Sequence, residues 1–405
     1  MKKKKILILT SEYPDPNSTY ETQVVHYYAK EWIQMGFELR VIHYRSVFPS
    51  IFYFFARILR RSVEKIFQTD FIPYTKLNSR VEYNFEGVNV IRQPIFKIFP
   101  HVRFFRRTIK KQARLVHADN NAFGFIPDII IGHFVNPQLP LIAELKSYYP
   151  NVKSSLVFHE NPIVISRLFG NQTSLYLEKI DYLGFRFAEM KNAFVSIFGK
   201  NYKLFICPSG IPDQYILPRV PTEKFKNEKI SFCFTGMLIP LKNIDIILEA
   251  INLAFPNKKF YLKIYGKGML RQQLEKRIKE LKLEDCVSLE GKVPRDEIQS
   301  ALANIDVFVM VSKPEAFGLV YVEAMGKGCI TIGTKGQGID GVIKNNENGF
   351  LCEARNIEEL KSLFEHIRSM RYEDKIFMAK NALETASGLT DRKVAISYLE
   401  KIEAL

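Results

Sequence analysis

The stretch that decides the fold runs from Val307 to Ile332. It opens on the apolar run Val307-Phe308-Val309-Met310-Val311. It continues as Pro314-Glu315-Ala316-Phe317-Gly318-Leu319-Val320-Tyr321-Val322-Glu323-Ala324-Met325-Gly326-Lys327-Gly328 and closes on Ile330-Thr331-Ile332. A short apolar run that ends at polar residues reads as a strand buried on both faces. Gly318 then opens a helix over Leu319–Met325, and Ile330–Ile332 is the next strand. Strand, crossover helix and strand form a βαβ unit, which calls for a parallel sheet.

The alternation extends in both directions. Upstream, Ile230–Phe234, Phe260–Tyr265 and Val287–Glu290 read as strands, with helices over Asn243–Leu253, Met269–Leu281 and Asp296–Ala303. Helical spacing fills Ile357–Ile402. An earlier series has strands at Lys5–Leu9, Leu39–Tyr44, Asp128–Ile131, Ser155–Phe158, Phe194–Ile197 and Leu204–Ile206. A helix over Thr22–Met35 carries Val24, Val25, Tyr28, Trp32 and Met35 at helical spacing and stops at Gly36. Between the two series, Pro208–Lys224 holds Pro208, Gly210, Pro212, Pro218 and Pro221, which is linker composition. The expectation is an α/β chain of two doubly wound, Rossmann-like domains facing a central cleft. The first spans residues 1–207 and the second 208–385, with a last helix, 386–405, returning to the first. Ligands of such sheets bind beyond the carboxyl ends of the strands.

The chain has 405 residues, 47% hydrophobic and 25% charged, which excludes a disordered chain, a collagen-like fibre and a disulfide miniature. Its charge is unusual: 58 Lys+Arg against 43 Asp+Glu, a net of +15. Residues 1–210 carry 29 basic and 16 acidic residues, whereas 211–405 carry 29 and 27. Residues 40–114 alone hold 16 basic and 4 acidic residues. Cys207, Cys233, Cys286, Cys329 and Cys352 are far apart and odd in number, so buried free thiols in a reducing compartment are expected. The apolar run after Lys2–Lys5 is too short for a signal peptide, and no run of about 18 apolar residues is present.

Around Gly318 the chemistry is concentrated. A glycine permits close backbone approach, and the amides of Leu319 and Val320 open the helix. Helix N-terminal amides bind anions such as a diphosphate. Glu315 precedes the helix and Glu323 lies eight positions on, just over one turn into it. A carboxylate only accepts hydrogen bonds, which suits vicinal hydroxyls. The plainer reading of spacing alone is a helix cap at Glu315 and a surface residue at Glu323.

This Glu-x7-Glu, set on Ser312, Glu315, Phe317, Gly318, Glu323, Ala324, Met325 and Gly328, resembles the signature of the retaining glycosyltransferases of family 4, which have the GT-B fold. Other stretches are similar to that family in the same order: Phe234-Thr235-Gly236 through Lys242-Asn243, Lys263-Ile264-Tyr265-Gly266-Lys267-Gly268, Glu290-Gly291-Lys292-Val293, Gly338-Ile339-Asp340-Gly341 and Asn348-Gly349-Phe350. The likeness covers about residues 205–355 and is only a matter of pattern before that. It implies a hexosyl-type transfer from a nucleotide-diphosphate sugar, a UDP-sugar foremost, without metal or other cofactor. It gives Glu323 the nucleotide ribose, Glu315 the donor sugar, and Lys242 the departing diphosphate. Gly236, Gly266, Val293, Phe317, Gly318, Leu319 and Val320 complete the donor site. Charge develops on phosphate oxygens as the glycosidic bond breaks, and placed cations stabilise it. The chain contains no Asp-x-Asp, the usual metal-holding pair in transferases that use one.

Three departures stand out, one of them Cys329, where the family often has proline and which reads as a packing residue. Met237 occupies the place where the family has a phosphate-binding arginine, and Lys267, Lys313 and Lys335 are the cations that can replace it. The loop Ser11–Tyr20, after the first strand, lacks the family's glycines. In the first domain His159, at a strand end, resembles the family's histidine near donor sugar and acceptor, and is the third catalytic candidate. Glu160 and His133 are candidates for the acceptor.

Val47–Phe67 and Val102–Val116 combine apolar residues at helical spacing with Arg57, Arg60, Arg61, Lys65, Arg106, Arg107, Lys110, Lys111 and Arg114. Both read as basic amphipathic helices. Packing on the sheet explains the stripes, and an anionic membrane explains the nearly all-cationic polar faces. The expected acceptor is thus a saccharide, lipid-linked, at the cytoplasmic face of a membrane in cell-envelope polysaccharide assembly. Nucleic acid is not expected, because no recognition module is present. Alternatives are a nucleotide-sugar epimerase or phosphorylase on the same fold, and a non-catalytic binder of nucleic acid or sugar nucleotides.

Overall fold

The computed structural model describes residues 3–15, 22–58, 78–99 and 102–405. It divides the chain into two compact units. One comprises Met1–Arg186, Met190–Cys207 and Val394–Leu405, the other Phe187–Glu189 and Pro208–Lys393.

The first unit is built on β1 (Lys5–Thr10), β2 (Glu38–Val47), β3 (Val81–Phe85), β4 (Val88–Phe96), β5 (Ile129–His133), β6 (Lys153–Phe158), β7 (Tyr182–Phe185) and β8 (Leu204–Ile206). Their order is β3-β4-β2-β1-β5-β6-β7-β8. Every pairing is parallel except the hairpin β3–β4, turned by Glu86 and Gly87 at φ 45° and 88°. Two left-handed residues give a turn whose twist matches that of the strands. Ile6, Leu7, Ile8, Leu9, Ile130, Ile131 and Leu156 are fully buried. The inner strands β1 and β5 carry apolar runs buried on both faces, whereas β3 and β4 at the edge keep exposed positions. Residues 394–405 pack into this unit: Trp32 Nε1 donates to Ala395 O at 3.0 Å, and the Tyr398 and Ser155 hydroxyls lie 2.8 Å apart.

The sequence differs from the structure in places. Phe194–Ile197, expected as a strand, lies in the helix Ala188–Phe198. Phe194 packs against Phe158 and Phe185, and the strand of this region is the four-residue β7. The first basic segment is not one helix. Val47 is the buried end of β2, the helix Ser50–Ile58 follows, and residues 59–67 lie outside the described residues. In the second, the helix begins at Arg106 and runs to Ala122. Ile109, Ala113 and Val116 are buried as expected, but Phe105 precedes the helix and is 59% exposed. Among the described residues, no helix is long and apolar enough to cross a membrane.

The second unit has β9 (Ile230–Thr235), β10 (Phe260–Tyr265), β11 (Val287–Gly291), β12 (Val307–Val309), β13 (Ile330–Thr334) and β14 (Phe350–Cys352). The order β11-β10-β9-β12-β13-β14 is parallel throughout. Chain progression reverses between β9 and β12. That is a topological switch point, where loops diverge and leave a crevice for a ligand. The corresponding point of the first unit lies between β1 and β5.

Candidate active site

The loops after β9 and β12 flank the switch point of the second unit, and they carry Lys242 and Glu315. Lys242 Nζ lies 2.6 Å from Glu315 Oε2, with both side chains less than one-fifth exposed. The backbone explains the meeting. Asn243 adopts a left-handed conformation, φ 49°, which asparagine tolerates better than most residues. Its side-chain amide donates to Val311 O at 2.7 Å, and Lys313 N donates to Leu241 O at 2.9 Å. These bonds lash the first loop to the second. Ser312 Oγ donates to the same Glu315 oxygen at 2.9 Å.

Glu315 is held from the other side as well. Its amide donates to Gln337 Oε1 at 2.8 Å, and Gly338 N donates to Glu315 O at 3.0 Å. A Cβ on Gly338 would stand 2.1 Å from Ala316 O, so the clasp requires glycine. Gly318 sits at φ 75°, and its Cβ would meet Tyr321 Cε2 at 2.5 Å. From there the helix Leu319–Gly326 begins, and its first amides have no intrahelical partner.

Farther along, the loops are chained. Gly236 N donates to Tyr265 O at 3.0 Å, and Gly266 N to Gly291 O at 2.7 Å. A Cβ on Gly266 would fall 1.8 Å from Gly236 O. Val293 is half-buried beyond β11. Glu323 is nearly buried, contrary to the plainer reading of a surface residue, and both its oxygens are engaged. Oε1 accepts from Arg295 Nη2 and Oε2 from Gln299 Nε2. Arg295 also lies over the Tyr215 ring, 4.9 Å from its centroid. Each carboxylate oxygen keeps a further lone pair for a hydroxyl. Ser312, Gln337, Arg295 and Gln299 are contacts the sequence reading missed. Only Ser312 and Arg295 carried a signal, by lying within or next to a motif.

Met237 is exposed on the loop after β9. Of the lysines considered in place of an arginine there, Lys335 is paired with Glu359 at 2.6 Å, while Lys267 and Lys313 are exposed.

In the first unit, His133 ends β5 and His159 follows β6, with His133 Nδ1 and His159 Nε2 3.1 Å apart. Phe134, at φ 68°, stacks on His159 with centroids 4.0 Å apart. Glu160 Oε2 accepts from His159 N at 3.3 Å, and Oε1 from Val135 N at 3.4 Å. The three candidates of this unit are therefore in contact. Burial pushes His133 down to about 3, with the Arg186 guanidinium adding to the effect. Burial, Arg186 and His133 push His159 down in turn. Burial raises Glu160, against its backbone hydrogen bonds. Of the loop after β1, the described residues Ser11–Asp15 are held by side chains. Tyr13 OH bonds His26 Nδ1 at 2.9 Å, and Asp15 pairs with buried Arg92 at 2.9 Å.

The architecture is that of GT-B glycosyltransferases, two Rossmann-like α/β domains. Residues 220–384 match the family model described as "Glycosyl transferases group 1". An uncharacterized glycosyltransferase of Methanocaldococcus jannaschii is 30% identical over 128 residues, 32% of this chain and 35% of that protein. The poly(glycerol-phosphate) alpha-glucosyltransferase of Bacillus subtilis is 30% identical over 189 residues, 45% of this chain and 26% of that one. The chain thus aligns with about a third or less of these relatives' length. An Anabaena protein solved in complex with UDP and glucose superposes with a TM-score of 0.63 at 17% identity, covering 99% of this chain and all of that one.

Proposed function

We propose that the chain is a glycosyltransferase of the retaining, family 4 type, moving a hexosyl group from a nucleotide-diphosphate sugar, a UDP-sugar foremost, to a saccharide acceptor. The observation that carries the reading is the Lys242–Glu315 pair, set beside a helix N-terminus at the switch point of a parallel sheet. Lys242 and the amides of Gly318, Leu319 and Val320 meet the diphosphate as negative charge builds on it. No metal is needed for that role. Glu315 engages the donor sugar, Glu323 the ribose, and the loops at Gly236, Gly266, Val293 and Phe317 enclose the nucleotide. His159 serves as the histidine of the reaction, with Glu160 and His133 beside it. The match over residues 220–384 and the UDP-bound Anabaena protein support the donor class.

The acceptor in this reading is lipid-linked, in cell-envelope polysaccharide assembly on a cytoplasmic membrane face. Ile51, Phe52 and Phe54 are exposed on the helix Ser50–Ile58, and Phe105 is exposed beside Arg106 and Arg107. Apolar side chains among cations suit the interface of an anionic bilayer.

The test is release of nucleoside diphosphate from a panel of nucleotide sugars, with lipid extract supplying the acceptor. Lys242→Ala and Glu315→Ala are expected to lose most turnover while circular dichroism stays native. Near-normal rates in both would refute the assigned site.

A further inference from the structure

His133 and His159 end neighbouring parallel strands and share one hydrogen bond, between Nδ1 of His133 and Nε2 of His159. Each neutral imidazole carries one proton, so the shared bond has two possible directions. His133 decides between them. It is fully buried, its ring stacks on Tyr28 with centroids 5.8 Å apart, and its Nε2 meets no hydrogen-bonding group among the described residues. If His159 donated the shared proton, His133 would carry its own N–H on Nε2, buried and without an acceptor. Orphaned buried N–H groups are rare. If His133 donates, Nε2 is a bare lone pair, the cheaper arrangement beside a buried guanidinium such as Arg186. Both imidazoles are held neutral by burial and by Arg186, which removes the doubly protonated alternative.

We propose that His133 is a positioning residue: its Nδ1–H donates to Nε2 of His159 and fixes His159 as the Nδ1–H tautomer, so that His159 faces its ligand as a hydrogen-bond donor and not as a base. Phe134 completes the arrangement. Its stacking fixes the plane of the His159 ring, and the bond to His133 fixes the rotation within that plane. The ligand group suited to such a donor is an oxygen with lone pairs, a sugar hydroxyl on the reading above, which the inference uses for the ligand and not for the tautomer.

The tautomer can be read without any ligand. The chain has seven histidines, few enough for long-range proton–nitrogen correlation spectra of the full chain labelled at histidine. His159→Gln assigns the signal. The expected wild-type spectrum shows His159 protonated at Nδ1 and bare at Nε2, and His133 protonated at Nδ1. A His159 protonated at Nε2 overturns the proposal, with no variant needed. His133→Phe, which keeps a ring on Tyr28 but has no donor, is expected to release His159 from the Nδ1–H form. His133→Asn, whose amide can replace the donor, is expected to restore it. An unchanged His159 spectrum in His133→Phe also overturns the assignment. Turnover of the same variants is expected to follow the tautomer while affinity for UDP holds. A switched tautomer with unchanged turnover would leave the tautomer standing and overturn its link to transfer.

Discussion

Glu315→Gln should separate nucleotide binding from transfer. The carboxylate neutralises Lys242 at 2.6 Å, and Ser312 bonds the same oxygen. Opposite charges that close, on side chains mostly withdrawn from water, attract by several kcal/mol at an effective dielectric of about 20. A diphosphate approaching Lys242 competes with that attraction. Glutamine keeps the size and an oxygen for Ser312 but removes the charge, leaving Lys242 for the phosphate. Desolvation and the glutamine dipole offset part of the gain, so about 1–2 kcal/mol should appear as affinity, roughly 5- to 30-fold tighter UDP. Transfer should fall at the same time, because the carboxylate that engages the sugar is gone. The apo protein should also melt lower, since a buried cation has lost its partner. Isothermal titration with UDP alone, beside a turnover assay, measures both. UDP affinity that drops in Glu315→Gln would refute the competition and place Glu315, not Lys242, against the nucleotide.

Gly266→Ala puts a Cβ 1.8 Å from Gly236 O, a clash with backbone, and should cost at least about 3 kcal/mol or leave the chain unfolded, as differential scanning calorimetry would show. Arg295→Ala leaves the nearly buried Glu323 with Gln299 as its remaining described side-chain partner. About 1–3 kcal/mol of stability should be lost, and the preference for UDP over its 2′,3′-dideoxy analogue should narrow in competitive binding. Acid should weaken the first unit. His43 and His133 are held near 3, below an unfolded value of about 6.5, so the unfolded chain binds more protons between those limits and stability falls as pH falls. At pH 5.5 each contributes a loss of about 1 kcal/mol relative to neutral pH, and His133→Phe should flatten the pH dependence of the melting temperature. Replacing Arg106, Arg107, Lys111 and Arg114 by alanine should weaken sedimentation with anionic vesicles by about 1 kcal/mol per residue, and leave neutral vesicles unaffected.

Legibility in the sequence followed the physics of each element. The βαβ pattern of residues 230–332 was plain because β9, β12 and β13 are largely buried and mainly apolar and glycines stand where backbones approach, whereas β10 and β11 place exposed residues between buried ones. The hairpin β3–β4 was missed although Glu86-Gly87 lies between two runs with exposed polar positions. Counting charge over residues 40–114 passes over alternation. β7 is four residues long and carries Gly184, where a Cβ would meet Phe205 at 2.7 Å, so tight packing removed the bulk that marks a strand. At the site, Lys242 and Glu315 were each readable from a motif, but their contact depends on Asn243 and Val311. The bonds from Arg295 and Gln299 to Glu323 depend on how one helix packs against another, which spacing within either helix does not encode.

On the proposed function, the second unit holds a nucleotide-diphosphate sugar through Lys242 and Glu323. Thermal unfolding of the chain across a panel of nucleotide sugars tests it most directly. One donor, at about 100 times its dissociation constant, should add about 2.7 kcal/mol and raise the melting temperature of the second unit by about 5–10 °C where that unit unfolds on its own, and by about 3 °C where the whole chain unfolds together. Lys242→Ala and Glu323→Gln should abolish that shift. No shift with any nucleotide sugar at millimolar concentration, or a full shift in both variants, would contradict the account.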